Sequence, residues 1–203
     1  MKIIVLSYSL NSMQYVIMTV GKTHSGKTTF GGELKKKLKH CCLIDSDVIA
    51  EFLKDNYGDL YATEYNRKNN ELAQGFYLKK AVFQGVFTHA VQSTLPVVLT
   101  NANSTKAIRK EASGVAHKAR RKTIMVYFNW PLEILLDRIH TTSRSKKCLT
   151  KSANFKDLLL NRQSACFEAP SPKEADIFLE ITDDKSWKDA QKTILALLKE
   201  VAS

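Results

Sequence analysis

The chain has 203 residues, enough for one domain with a sizeable core, and 44% of them are hydrophobic. Its 31 Lys and Arg against 20 Asp and Glu give a formal net charge of +11, which indicates either anionic partners or lysine-rich solvated helix faces. The four cysteines have no C-x-x-C or metal-ligand spacing, which argues against a zinc site and is typical of reduced thiols in a cytosolic protein.

The N-terminal residues do not have the pattern of a secretory signal. Lys2 precedes the short apolar run IIVL, but the polar stretch SYSLNS follows where a signal peptide needs roughly 7–15 apolar residues. No apolar stretch approaches the roughly 18 residues that span a membrane. We therefore expect a cytoplasmic protein without a membrane partner. Because Met13 lies just before the first strand, we interpret residues 1–12 as an appended segment or the result of a misplaced start, and we expect a single domain over 13–203.

The first predicted strand, Tyr15–Val20, leads into a loop with the spacing G-x-x-x-x-G-K-T. Glycines at this spacing let backbone N–H groups curl around a phosphate, the lysine reaches the β- and γ-phosphates, and the threonine hydroxyl binds Mg²⁺. The helix predicted after the loop presents its positive end to the same anion. The sequence therefore predicts that a nucleoside triphosphate, ATP, is bound by nine consecutive residues, with Lys27 also catalytic and Thr28 also a metal ligand: Gly21, Lys22, Thr23, His24, Ser25, Gly26, Lys27, Thr28 and Thr29.

Strands and helices are predicted to alternate along the rest of the chain. Apolar runs too short for buried helices and rich in β-branched residues predict strands over Cys41–Ile44, Pro96–Leu99, Ile124–Phe128 and Ile177–Ile181. Apolar residues at helical spacing predict helices over Thr28–Lys39, Glu71–His89, Ala107–Ala119, Leu132–His140, Asn154–Ala165 and Trp187–Val201. This alternation predicts an α/β fold with a five-stranded, mainly parallel sheet and helices on both faces.

Two aspartates follow the second predicted strand. Asp45 and Asp47 come just after its carboxyl end, the edge at which open α/β sheets bind ligands. One carboxylate suits holding Mg²⁺ through water, and the other suits orienting an acceptor hydroxyl for phosphoryl transfer. We assign Asp45 to the metal and Asp47 to catalysis and acceptor binding. The alternative is that one of them only caps the helix that begins near Val48.

A basic stretch, LLDRIHTTSRSKKCLTKSANFKD, joins two predicted helices and is suited to a small lid over about residues 139–153. Arg138 and Arg144 would be catalytic there, because they would cover the triphosphate and stabilise charge in the transition state. Arg162, on the following helix, is a further candidate. The alternative for these residues is a surface arginine paired with a carboxylate. The run HKARRK at 117–122 lies at a predicted helix C-terminus, where cations are favourable in any case.

Four features occur together in chain order: the loop Gly21–Thr28, Asp47, the stretch VVLTNANSTKAIRK and the stretch VYFNWPLEILLDRI. Over roughly residues 14–165 the chain thereby resembles P-loop kinases of the polynucleotide kinase type, with zeta-toxin-like and small-metabolite kinases as near relatives. The resemblance implies the three-layer P-loop NTPase fold with a small basic lid. It also implies that Asn103 and Arg109, which keep the family's Asn-to-Arg spacing, bind the substrate, and that Pro131 begins the helix that leads to the lid.

Two positions differ from that family's pattern. Thr100 stands where the third strand normally ends in an acid that holds Mg²⁺ through water, and Asp45 supplies a carboxylate that would offset this change. Ala50 stands where an arginine normally binds the acceptor's phosphate, and Lys54, one helical turn further, is the nearest cation in the sequence. The Asp45-x-Asp47 pair instead resembles shikimate- and gluconate-type kinases, whose acceptors are small polar molecules.

We therefore expect an ATP- and Mg²⁺-dependent phosphotransferase with a hydroxyl acceptor. The basic charge and the family resemblance favour a nucleic-acid 5′-hydroxyl or a nucleotide-like molecule. A small-metabolite kinase of the gluconate or shikimate type is the first alternative, because of the aspartate pair and Ala50. A nucleotide-dependent binding module with weak transfer activity is the second, because Thr100 replaces an acid.

Overall fold

A computed structural model of the protein describes residues 14–60, 72–141 and 154–200. Five strands form one sheet in which every pairing is parallel, in the spatial order β2-β3-β1-β4-β5. The strands are β1 Tyr15–Gly21, β2 Cys42–Ile44, β3 Val97–Leu99, β4 Lys122–Phe128 and β5 Ile177–Ile181. The connections between parallel strands are made by helices, as this strand arrangement requires.

Besides a helical turn at 58–60 and the 3₁₀ turn named below, the described ranges contain seven helices. Six are regular: α1 Lys27–Leu38, α2 Ser46–Asn56, α3 Leu72–Ala90, α4 Lys106–Lys118, α5 Leu132–Thr141 and, at the end of the chain, α7 Asp184–Glu200. The remaining one, α6, consists of three consecutive pieces: a short turn Phe155–Asp157, a π-helical turn Leu158–Gln163 and a short turn Ser164–Cys166. A 3₁₀ turn, Pro172–Glu174, precedes β5.

The sheet is buried on both faces, and its central strand β1 is buried along its whole length and mostly apolar. In β1, Ile17 packs with one core cluster, to which α1 contributes Phe30 and α7 contributes Ile194. Its neighbour Met18 points to the other face and packs with Phe87 of α3. Side chains of a strand alternate between faces, so a continuous apolar run must be covered twice. The predicted α/β fold with a five-stranded parallel sheet and helices on both faces is confirmed.

The boundaries of several predicted elements shift in the structure. β4 begins at Lys122, two residues before the predicted start, because the Lys122 N–H bonds to the carbonyl of Gln14. α7 begins at Asp184 rather than Trp187, because the Asp183 carboxylate accepts a 2.7 Å hydrogen bond from the Ser186 N–H and so satisfies the first turn.

The predicted segment 1–12 lies outside the described residues, as does the predicted lid beyond residue 141. Among the helices described, none combines the length and apolarity that a membrane crossing requires.

Arg121, at the start of β4, is a buried cation that fixes the turn between α3 and β3. It is 2% exposed. Its guanidinium donates to the carbonyl of Val91 at 2.8 Å and to the carbonyl of Leu95 at 2.7 Å, and also to the carbonyl of Ser93. Because a guanidinium carries five donors in a rigid fork, one side chain satisfies three carbonyl groups of this turn at once.

We predict that Arg121→Met lowers the free energy of unfolding by about 3 kcal/mol, because it leaves three carbonyl oxygens without their donor. Urea unfolding followed by circular dichroism measures this change. Lys122→Met is the matched control, because Lys122 is the next residue and is exposed, and its effect should stay within about 0.5 kcal/mol. Equal losses for the two variants would contradict the role assigned to Arg121.

Candidate nucleotide and acceptor site

The loop between β1 and α1 has the geometry of a phosphate cradle. Gly26 has φ 92°, in the left-handed region, and a Cβ at this position would lie 2.8 Å from the ring of Trp187. A Cβ on Gly21 would lie 2.9 Å from the Ser25 hydroxyl oxygen and 3.0 Å from the Cβ of Phe128. Both predicted glycines are therefore required by the local backbone and packing. The context of the predicted motif, a strand before the loop and a helix after it, is present.

Lys27 bends back over this loop. Its ammonium donates to the carbonyl of Lys22 at 2.6 Å and contacts the hydroxyl of Ser25 at 3.1 Å. The lysine charge is thus held inside the loop, next to the N-terminus of α1. A positive side chain and a helix N-terminus at one place create an electropositive concavity, which is the environment that an anion requires.

The carboxylate of Asp45 connects the phosphate loop to two neighbouring strands. Its Oδ1 accepts from the N–H groups of Asp47 at 2.8 Å and Val48 at 3.4 Å, so Asp45 is the N-cap of α2. Its Oδ2 accepts from the Thr28 hydroxyl at 3.1 Å and from the Thr100 hydroxyl at 2.9 Å. Asp45 therefore has the capping role that was considered as an alternative, and it also lies beside the predicted metal ligand Thr28.

These two residues fit a magnesium ion rather than a closed metal site. Among the residues that the structure describes, no group of three or more His, Cys, Asp and Glu side chains is placed to hold a metal. Mg²⁺ usually binds one or two protein oxygens and takes its other ligands from water and substrate phosphates. The Thr28 hydroxyl and the Asp45 carboxylate offer that number of protein ligands next to the phosphate loop.

Asp47 lies in the first turn of α2, with its side chain 49% exposed. Its carboxylate forms an ion pair with Lys79 of α3 at 3.7 Å. Ala50, in the place where the family resemblance expects an acceptor-binding arginine, is 2% exposed and belongs to the core. A long cation at position 50 would have to leave the core, so the cation beside Asp47 comes from α3 and not from α2. Lys54 is exposed further along α2.

Asn103 and Arg109, which were predicted to bind the substrate, are both buried in the structure. Asn103 is 5% exposed, and its amide donates to the carbonyl of Thr19 at 2.8 Å. Arg109 is 1% exposed, and its guanidinium donates to the carboxylate of Glu174 at 2.7 Å and to the carbonyl of Glu168 at 2.9 Å. Burial alone would raise the pKa of Glu174. Hydrogen bonds from Arg109 and from the Ser171 backbone outweigh that effect, so the pKa of Glu174 lies below its ordinary value. Both side chains thus have hydrogen-bond partners within the fold, and their contact with a substrate stays a prediction.

Arg138, in the last turn of α5, lies against the phosphate loop. Its guanidinium carbon stands 4.1 Å from the ring centre of Trp130, and it donates to the carbonyl of His24 at 3.5 Å. A cavity of about 450 Å³ opens between the loop, α5 and α7, within the range of roughly 300–1,000 Å³ that small-molecule sites occupy. Its lining residues are His24, Gly26, Thr29, Arg138, Asp184, Trp187 and Lys188. Arg144, the other predicted lid arginine, lies outside the described residues.

A further contact with the loop was not predicted. The backbone N–H of Thr23 donates to the side-chain oxygen of Gln163 at 2.7 Å, across 140 residues of sequence. Gln163 ends the π-helical turn of α6 and follows Arg162, the residue that was considered for this helix. No local pattern in the sequence marks Gln163, because the contact depends on how α6 returns to the sheet.

Comparisons with known proteins agree with this architecture. The sequence profile of the AAA domain family matches residues 16–170. No curated protein sequence matches the chain. Among solved structures, Chaetomium thermophilum Kti12 in complex with ADP-AlF3 has a TM-score of 0.56 and 16% identity, covering 90% of this chain and 98% of that one.

Two kinases also match. Mycobacterium tuberculosis APS kinase CysC in complex with AMPPNP and APS has a TM-score of 0.58 and 15% identity, covering 92% of this chain and 98% of that one. A sugar kinase from Janibacter has a TM-score of 0.57 and 14% identity, covering 94% of this chain and 99% of that one. At these identities the similarity shows that the chain shares the fold of these proteins.

We predict that Asp45→Ala lowers the free energy of unfolding by about 1 kcal/mol, because α2 loses its N-cap, whereas Asp45→Asn changes it by only a few tenths because an amide oxygen still caps. Urea unfolding without added nucleotide measures the free energy of unfolding of both Asp45 variants. Asp55→Ala, at an exposed position of the same helix, is the control. Equal losses for Asp45→Ala and Asp45→Asn would show that the charge of Asp45, and not its capping oxygen, stabilises the nucleotide-free protein.

Proposed function

The chain belongs to the AAA domain family, and from that premise we propose that it is an ATP- and Mg²⁺-dependent phosphotransferase that moves the γ-phosphoryl group to a hydroxyl acceptor. One observation carries the proposal. Asp45 is held 3.1 Å from the Thr28 hydroxyl of the phosphate loop, and Asp47 follows it on the first turn of α2. In the proposal Asp45 serves the metal and Asp47 the acceptor hydroxyl, which are the two tasks that phosphoryl transfer assigns to carboxylates.

Each residue of this arrangement has a distinct task in the proposal. Lys27 and the loop N–H groups neutralise the phosphates, and Thr28 with Asp45 would hold Mg²⁺, which supplies further positive charge when bound. Asp47 orients the acceptor hydroxyl. Arg138 contributes positive charge from the other side of the loop, where its stacking on Trp130 fixes the plane of the guanidinium.

The cavity beside the loop supports binding of the nucleoside part of ATP. It begins at Gly26 and Thr29, next to the phosphate loop, and extends towards Trp187 and Arg138. An aromatic ring and a planar guanidinium are surfaces on which a nucleobase stacks favourably. The size and position of the cavity are therefore suited to a nucleoside whose phosphates point into the loop.

The favoured acceptor is a nucleic-acid 5′-hydroxyl or a nucleotide-like molecule. The formal charge of +11 attracts polyanions. Lys79, whose ammonium stands 3.7 Å from the Asp47 carboxylate, supplies a cation at the place where an acceptor hydroxyl would bind. A phosphate group on the acceptor would find there the positive charge that the buried Ala50 does not provide.

A small-metabolite acceptor is the second candidate. It is favoured by the Asp45-x-Asp47 pair and by the burial of Ala50, which removes the expected phosphate-binding arginine from α2. A binding module with weak transfer activity is the third candidate, since Thr100 replaces an acid at the end of β3. The hydrogen bond from Thr100 to Asp45 at 2.9 Å argues for transfer, because it fixes the neighbouring carboxylate near the loop.

We predict that Lys27→Ala lowers the rate of phosphoryl transfer by at least ~10²-fold, the scale of losing one preorganised electrostatic contact. Asp47→Asn should also lower transfer but leave the affinity for ATP-Mg²⁺ nearly unchanged, because Asp47 acts on the acceptor. Rates with labelled ATP and affinities by calorimetry give the two readouts. Lys35→Ala and Asp55→Asn, exposed neighbours on the same helices, are the controls. Unchanged transfer and hydrolysis in Lys27→Ala would refute the assignment of the phosphate loop.

The acceptor is identified by incubating the protein and ATP labelled in the γ-phosphate with oligonucleotides, nucleosides, nucleotides and sugars. We expect label on a 5′-hydroxyl or a nucleotide-like acceptor. Transfer to oligonucleotides should fall steeply with salt, since phosphate contacts release counterions. Label on a sugar alone would select the metabolite kinase. ATP binding without transfer to any acceptor class would select the binding module.

A further inference from the structure

We propose that the side-chain amide of Gln163 is part of the phosphate-binding site: its oxygen satisfies the Thr23 N–H when no phosphate is present, and its NH₂ end is the donor for a bound phosphate. The inference rests on the proposed function, because it assumes that the loop binds a nucleoside triphosphate. It adds a residue outside the loop motif, from an element 140 positions away in the sequence.

The contact occupies an N–H group of the phosphate loop. Thr23 lies inside the glycine-lysine loop, and N–H groups of this motif curl around a phosphate. In the structure that N–H donates to the Gln163 oxygen at 2.7 Å. A phosphate oxygen and an amide oxygen are both acceptors, so a phosphate that approaches this N–H meets an unfavourable dipole. A carboxamide removes the conflict by turning its plane, because it carries two donors beside its one oxygen.

The turn that carries Gln163 is anchored by two buried leucines. Leu158 and Leu159 are buried, and the Leu159 carbonyl accepts both the backbone N–H and the hydroxyl of Ser164, the latter at 2.8 Å. This bonding places Gln163 at the end of a π-helical turn, a deviation from regular helix that is often found at functional sites. The side chain of Gln163 therefore reaches the loop from a fixed base.

A second contact joins the same two segments. The Lys22 ammonium stands 5.8 Å from the ring centre of Phe167, and the Phe167 N–H donates to the Gln163 carbonyl at 2.8 Å. Two consecutive loop residues, Lys22 and Thr23, thus contact the end of α6 and the residue that follows it.

A purely structural cap and a phosphate-binding amide make opposite demands on residue 163. A carboxylate would cap the Thr23 N–H at least as well as an amide, because charge-assisted hydrogen bonds are stronger. The same carboxylate would repel a phosphate and has no donor to offer it. Gln163→Glu, which changes almost no volume, therefore distinguishes the two roles.

The experiment measures binding of Mg²⁺-AMPPNP, of ADP and of adenosine by calorimetry, together with the melting temperature of the nucleotide-free protein. We expect Gln163→Glu to keep or raise the melting temperature and to weaken AMPPNP binding by at least about 10-fold, since a like charge is placed beside the phosphates. Adenosine binding should change by less than about twofold, because adenosine carries no phosphate. Gln92→Glu makes the same amide-to-acid change at an exposed position and should leave all three affinities within about twofold.

Two outcomes would overturn parts of this scheme, and they are distinguishable. If the wild-type protein binds AMPPNP and Gln163→Glu binds it equally well, Gln163 is only a structural cap and the inference fails alone. If the wild-type protein binds none of the nucleotides, the proposed function fails. Should Gln163→Glu not fold, Gln163→Met replaces it: this variant should bind AMPPNP several-fold more weakly than the wild type, and unchanged AMPPNP affinity would overturn the inference.

Discussion

The carboxylate of Asp45 joins three parts of the sheet edge, and the arrangement of the candidate site depends on these contacts. One of its oxygens caps α2, and the other accepts hydrogen bonds from Thr28 of α1 and from Thr100 at the end of β3. A single charged group therefore sets the distance between the phosphate loop, the acceptor-side helix and the neighbouring strand. Since its neighbours are hydroxyl groups, the same carboxylate is compatible with a cation at Thr28 without a closed set of protein ligands.

Close packing beneath the loop makes these contacts possible. A Cβ on Gly31 of α1 would lie 2.2 Å from the Cγ2 of Thr100, so only a residue without a side chain lets α1 lie this close to the end of β3. The strand order places β1 between β3 and β4, with the loop at the centre of the carboxyl edge. Ligands bind at this edge in open α/β sheets because the connections leave in opposite directions there. The replacement of an acid by Thr100 is thus matched by a carboxylate from the adjacent strand.

Different elements supply the two sides of the loop. On one side, α2 and α3 bring together Asp47 and Lys79, which form an ion pair. On the other side, α5 and α7 enclose the cavity in which Arg138 is fixed by Trp130. Gln163 approaches the loop from α6. Because the contacts of the loop come from separate elements, the residues on its two sides can change independently.

Short-range chemistry explains what the sequence alone could predict. The spacing of Gly21, Gly26, Lys27 and Thr28 fixes a loop whose backbone requirements are local, and the alternation of apolar strands and helices fixes the α/β class, because each element must bury its own apolar face. The same logic placed Asp45 and Asp47 at the edge of the sheet. Element boundaries were less certain, since caps such as Asp183 depend on local hydrogen bonds that compete with helix propensity.

Long-range packing decided which partners the polar side chains near the loop have. The family resemblance predicted that Asn103 and Arg109 bind the substrate. It did not predict that both side chains are buried, because their partners Thr19 and Glu174 lie far from them in the sequence. Likewise, the cation beside Asp47 is Lys79, and the side chain that reaches Thr23 is Gln163. These contacts join residues far apart in the chain, and their geometry is fixed only when the helices have packed on the sheet. The sequence by itself determined the phosphate loop and the class of fold, whereas the tertiary structure decided which polar side chains face the loop and which support it from the core.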